Sequence, residues 1–379
     1  MTISKLFGKA LLGERRLVPC EIRFSDKIES IKKLPSVGKT APIIAPGFID
    51  VHTHGAMMAE AMDADERSLS NMAAFHLKKG TTGFLPTLMS ACEEKLMCAA
   101  MTVAHAMETD SRILGLNLEG PFLSQKKRGA HDLAALKPID MALFERLSTV
   151  APVRLITVAP ELDNALLFIE EACKKTVVSL GHSNADYETA RAAFEIGAKH
   201  VTHLFNAMPP FLHRDPGLFG AAIDFSASAE LILDLIHIDP SVARAAFRLF
   251  SERLVLISDS IFTAGLENGE YTKNNITIYL KNAEARLKDG TLAGSSIGLI
   301  DAVKNAVAIG IPIERALYAA SVAPAKAIGV FDERGSIEEG KRADLVILNA
   351  KLDIVDVFLS GESVYEKPAK RAARKVALV

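Results

Sequence analysis

The feature that most restricts the fold is an alternation that begins after Pro46-Gly47. Short apolar runs are followed, again and again, by alanine-rich amphipathic stretches. The runs read as strands near 43–52, 82–87, 112–119, 153–159, 176–182, 199–204, 231–237 and 254–259. Strands are apolar along their whole length when both faces are covered, as in a parallel sheet flanked by helices. The stretches between them carry helix punctuation. Residues 66–79 end at Gly80, residues 186–196 end at Gly197, and residues 242–250 follow Pro240, which matches glycine closing a helix and proline opening one. Eight such units between residues 43 and 259 suit a (β/α)8 barrel better than an open sheet.

Both ends of the chain have a different pattern. Residues 1–42 read as short strands and turns, with 21–24 and 28–31 flanking the hairpin turn Ser25-Asp26-Lys27. Strand character returns from Gly335, at 344–348 and 354–359, with a turn at Gly361-Glu362. The expected architecture is a TIM-like barrel domain of residues 45–335, beside a small β-sandwich domain of residues 1–44 and 336–379. An insertion after the eighth strand, about 265–293, alternates like a hairpin at 275–280 and 285–287, and helices resume at 299–309 and 313–320.

Charge narrows the partners. A formal net charge of −2 argues against nucleic-acid and anionic-membrane surfaces, which call for a clustered basic excess. The basic run 367–375 reads as a solvated terminus. The four cysteines form no CxxC pair, no apolar run approaches the roughly 20 residues that span a bilayer, and no signal-peptide pattern opens the chain. A cytoplasmic location is expected.

Chemistry in such a barrel gathers at the C-terminal ends of its strands. There the sequence places His52 and His54, then Glu119, His182, His203 and Asp259. Taken singly, a strand-end histidine is more often a loop hydrogen-bonder than a ligand. Taken together, four histidines and two carboxylates on five apolar strands form the donor set of a metal-dependent hydrolase. His76, His105 and His200 fall within elements, where structural roles are expected; His213 has no assigned role.

These residues bring out a resemblance. His52-Thr53-His54, the β-rich ends and GKRADLVIL at 340–348 resemble the amidohydrolase superfamily. Within it, NLEGPF at 117–122, KRGAH at 127–131, GHSN at 181–184 and HLFNAMP at 203–209 resemble the N-acetylglucosamine-6-phosphate deacetylase family. RDPG at 214–217, DSIFTAG at 259–265 and LAGS at 292–295 continue the match in order. The resemblance implies a principal divalent-metal site at Glu119, His182 and His203, and a second at His52 and His54. The cation would be Zn, Fe or Mn, one or two per subunit, with Glu119 able to bridge. It implies Asp259 as catalytic acid and base. It also implies His131, Asn206, Ala207, Arg214 and His237 as contacts to a phosphorylated amino sugar, in a homodimer.

Two departures from that pattern stand out. Leu235 replaces a glycine shortly before His237; a side chain there should forbid close backbone approach and a positive φ, which leaves the galactosamine epimer, or another N-acetylated small molecule, as an alternative substrate. Ser258-Asp259-Ser260 replaces the usual Thr-Asp-Ala. A cyclic-amide hydrolase or deaminase of the same superfamily is the more distant alternative. Many of those use a carboxylated lysine from the fourth strand, and residues 153–158 contain none.

Overall fold

A computed structural model describes residues 3–13 and 16–366; the basic run 367–375 lies outside them. Eight parallel strands lie side by side in chain order: β1 (Phe48–Thr53), β2 (Thr81–Met89), β3 (Leu116–Glu119), β4 (Val153–Val158), β5 (Val177–Leu180), β6 (His200–Val201), β7 (Ser228–Ile232) and β8 (Leu254–Ile257). The ring closes between β8 and β1 at the upper end. There Asp259 N–H donates to the His52 carbonyl, His54 N–H to the Ser260 carbonyl, and Ser258 N–H to the Asp50 carboxylate. The helix Ile313–Ala327 packs its Tyr318, Val322 and Ala325 against Ile49, Val51 and Val255 of the strands that meet at this seam.

Several strand ends differ from expectation. β6 is only two residues long, so His203 follows the strand and turns into the cavity with φ 26°. β7 ends at Ile232, five residues short of 237, and Asp234 to His237 form a loop held by the Asp234 carboxylate. β3 starts at Leu116, with Phe84–Ile113 surviving as an isolated bridge. The last helix passes residue 320 and runs through Pro324 to Ala327, because residues Ala316 to Ala325 are buried and packing outweighs propensity.

The strands of both chain ends join into one seven-stranded sheet. Arg16–Phe24 and Ile354–Leu359 lie four strand steps apart in its order, about 19 Å if the sheet were flat. Yet the rings of Phe24 and Phe358 are 5.2 Å apart. The sheet therefore rolls until its halves face each other over Ile22, Ile44, Leu345 and Ile347, a sandwich made from a single sheet. The insertion after β8 is a four-stranded antiparallel sheet whose last strand, Leu292–Ser295, returns to the barrel mouth.

Candidate active site

The upper end of the barrel opens into a cavity of about 350 Å³ lined by His54, Glu119, His182, His203 and Asp259. His52 lies directly beneath them, fully buried. Three of these residues carry a left-handed backbone: His182 with φ 46°, His203 with φ 26° and Asp259 with φ 47°. For a side chain with a Cβ that conformation costs on the order of 1–3 kcal/mol. Strain repeated at three converging polar residues marks the place where the fold serves a site rather than its own stability.

Two donor groups form. Glu119, His182 and His203 make one; His52, His54 and Asp259 make the other. Glu119 Oε1 lies 3.0 Å from His182 Nε2 and 2.9 Å from His203 Nε2. The same carboxylate reaches across to the second group, 3.4 Å from His52 Nε2 and 3.3 Å from His54 Nε2. Asp259 Oδ1 is 3.3 Å from His54 Nε2 and 3.6 Å from His52 Nε2.

The donors fit a divalent cation. The Nε2 atoms of His182 and His203 are 2.9 Å apart, and those of His52 and His54 are 3.2 Å apart. Metal bonds of about 2.0–2.2 Å place two ligands of one ion roughly 3–3.5 Å apart. Second partners fix two of the rings, those of His182 and His52, in the useful tautomer. His182 Nδ1 donates to the Lys127 carbonyl at 2.8 Å, and His52 Nδ1 lies 2.9 Å from Glu230 Oε2. Each bond leaves an Nε2 lone pair facing inward, the arrangement of metal-binding histidines.

Electrostatics agree with this reading. Burial alone would raise the Glu119 carboxyl, but the His52 and His182 imidazoles hold it well below the usual carboxylate range. Asp259 is also lowered, its burial outweighed by His52 and His54. Burial works against a charged His54, yet bonds to Asp259 and Glu119 lift it to about 9. Burial brings His182 down to about 4. The centre keeps its carboxylates charged and wants positive charge among them.

The remaining expected residues are spread around this centre. Asn206, Ala207 and His237 line the cavity, with His237 Nδ1 2.7 Å from Asp234 Oδ2. His131 also lines it and reaches the centre itself, with Nε2 3.1 Å from Glu119 Oε2 and Nδ1 2.9 Å from Ser90 Oγ. Arg214 is exposed and does not line the cavity. Leu235 corrects an expectation: it adopts φ 64° despite its side chain. The Asp234 carboxylate holds that turn by accepting from the Ile236 and His237 amides, both at 2.9 Å.

Ser260 explains its own departure. Its hydroxyl donates to the Gly55 carbonyl and lies 2.8 Å from Thr53 Oγ1, which in turn lies 2.9 Å from His76 Nε2. An alanine could not tie β8 to β1 in this way. Sequence reasoning missed Glu230, fully buried under the site, and Lys126, Lys127 and Thr291 on its walls. The one signal for Glu230 was a carboxylate inside the apolar run of β7.

A parallel barrel with paired histidine–carboxylate groups at its C-terminal mouth is one architecture of metal-dependent hydrolases. The chain belongs to the amidohydrolase family, whose profile matches residues 43–364. More particularly, it is similar to the N-acetylglucosamine-6-phosphate deacetylases of Vibrio furnissii and Homo sapiens. Identities are 34% and 35%, over 85% and 95% of this chain and 83% and 91% of those proteins. N-acetylgalactosamine-6-phosphate deacetylase of Escherichia coli O157:H7 is 31% identical, over 90% of this chain and 94% of its own. Among solved structures, a point mutant of the Mycobacterium smegmatis N-acetyl-D-glucosamine-6-phosphate deacetylase in complex with N-acetyl-D-glucosamine-6-phosphate aligns with TM-score 0.90 and 30% identity. That alignment covers 96% of this chain and 100% of the other.

Proposed function

We infer that the protein hydrolyses the acetamide of N-acetyl-D-glucosamine 6-phosphate to D-glucosamine 6-phosphate and acetate, in amino-sugar metabolism. The observation that carries this reading is the meeting of Glu119, His182 and His203 with His52, His54 and Asp259 in one cavity, on a chain whose relatives bear that activity.

Glu119, His182 and His203 would hold a divalent cation, Zn, Fe or Mn, and His52 with His54 would admit a second. When bound, such a cation would lower the pKa of a water and polarise the acetamide carbonyl. Asp259 accepts the proton of the attacking water, since its carboxyl is held in the charged form. It then delivers that proton to the departing amine, because an amide nitrogen leaves only when protonated. His131 donates toward Glu119 and is placed to meet the substrate at the same wall. Asn206, Ala207 and His237 line the side on which we place the sugar hydroxyls and the 6-phosphate. Arg214 sits in an exposed loop with Phe211 and Leu212, which are 52% and 50% accessible. We assign it to phosphate binding across a homodimer, where its planar fork suits a phosphoryl group.

The 31% identity to an N-acetylgalactosamine-6-phosphate deacetylase favours one second reading, the 4-epimer as substrate. No helix of the described residues is long and apolar enough to cross a membrane. The deciding experiment measures acetate release from both phosphorylated epimers and their unphosphorylated forms, using protein purified without chelator and assayed for metal. Activity on neither phosphorylated sugar overturns the reading; a higher kcat/KM for the galacto epimer selects the second.

A further inference from the structure

Glu230 belongs to neither donor group, yet it touches both. It stands on β7 with no exposed surface. Its Oε2 lies 2.9 Å from His52 Nδ1 and accepts from the main-chain N–H of His203 at 3.0 Å. Its Oε1 lies 3.3 Å from His200 Nε2. One oxygen thus ties the first histidine of β1 to the turn that aims His203, and so links the two halves of the centre.

We propose that Glu230 is a positioning residue for the metal centre. It holds His52 in the Nδ1–H tautomer and pins the His203 turn, so that both Nε2 lone pairs enter one cavity. The inference rests on the metal-dependent reading above. The physical case is local. A neutral imidazole has one lone pair, and a buried acceptor at Nδ1 leaves it at Nε2. His203 needs a fixed main chain because its φ of 26° is an unfavourable one, and its own Nδ1 finds no hydrogen-bond partner among the described residues. The Glu230 carboxylate therefore does for His203, through the backbone, what it does for His52 through the ring.

The neighbouring bonds make two substitutions informative. In the wild type His200 Nε2–H donates to the Glu230 carboxylate; because Ser228 Oγ donates to the Lys199 carbonyl and can accept from His200 Nδ1, the ring can move its proton to Nδ1 and free Nε2 to accept once the carboxylate is replaced. In Glu230→Gln the amide oxygen can serve His52 and His203 while the amide N–H faces His200 Nε2. Glu230→Met keeps the length and removes every acceptor. Zn2+ affinity is measured by chelator competition on metal-depleted protein, and the melting temperature of the metal-free form is recorded beside it. Loss of such an outer partner weakens metal binding about 10- to 100-fold. We expect that loss in Glu230→Met and affinity within about 3-fold of wild type in Glu230→Gln. A merely structural role would lower the melting temperature and leave the affinity of the folded protein unmoved.

Wild-type affinity in folded Glu230→Met overturns the proposal, as does an equal loss in both variants, which would point to charge alone. Should Glu230→Met fail to fold, nitrogen-15 spectra of histidine-labelled, Zn2+-loaded wild type decide. His52 must carry its proton on Nδ1; a proton on Nε2 refutes the assignment. Neither readout uses a substrate, so failure here and failure of the deacetylase reading are separable.

Discussion

Asp259→Asn tests the proton-transfer role proposed for Asp259 with little disturbance elsewhere. The main chain of residue 259 is anchored on both sides, its N–H to the His52 carbonyl at 2.9 Å and its carbonyl to the Ser295 N–H at 2.8 Å. Asparagine tolerates the left-handed region better than most side chains, so the φ of 47° carries no new penalty. The amide oxygen can still face His54, while the group no longer accepts a proton. Positioned acid–base catalysis contributes about 10²- to 10⁴-fold. Here Asp259 is only 7% exposed, and Glu119 is engaged by His131, His182 and His203, so no idle base stands ready to replace it. The loss should fall in the upper part of that range, about 10³- to 10⁴-fold in kcat, or roughly 4–5.5 kcal/mol at 1.36 kcal/mol per tenfold. The assay is acetate release at saturating substrate, on wild type and variant brought to equal metal content. A kcat within tenfold of wild type at equal metal refutes the assignment. A protein that has lost its metal would show Asp259 to be chiefly a ligand.

Three further outcomes are expected. His52→Gln combined with His54→Asn should lower metal per subunit and leave substantial deacetylation; a metal-free, inactive protein would show that this pair anchors the centre. Arg214→Ala should cut kcat/KM for the phosphorylated sugar about 10- to 100-fold, the worth of a charge-assisted contact of roughly 1.5–3 kcal/mol, and spare the unphosphorylated one; an unchanged preference would place the phosphate elsewhere. His76 is fully buried, and burial pushes it down to about 3. A depressed histidine contributes stability that is present above its unfolded value of about 6.5 and lost as pH falls toward 3. Between pH 7 and pH 5 this amounts to about 2 kcal/mol, so denaturant midpoints should fall with acid less steeply in His76→Gln than in wild type; parallel curves would contradict it.

Much of this was legible in the sequence because it depends on local spacing. Apolar runs followed by helix stops specify parallel strands with covered faces, and the polar residue ending each run had to appear at one mouth once the ring closed. Glu119, His182, His203, His52, His54 and Asp259 meet there for that reason. The pairing of both chain ends followed from their shared β-rich pattern.

Other features were decided only by the tertiary structure, because they depend on groups far apart in the chain. The roll of the terminal sheet rests on Phe24 meeting Phe358. The positive φ of Leu235 is paid for by the carboxylate of Asp234, so a rule about side chains alone mispredicts it. Arg214, to which the resemblance gave a phosphate contact, stands outside the cavity. Glu230 received no role from the sequence; only the fold brings His52, His200 and His203 around it. Spacing along the chain names the residues that can act; which lone pair each one presents is set by partners tens to hundreds of residues away.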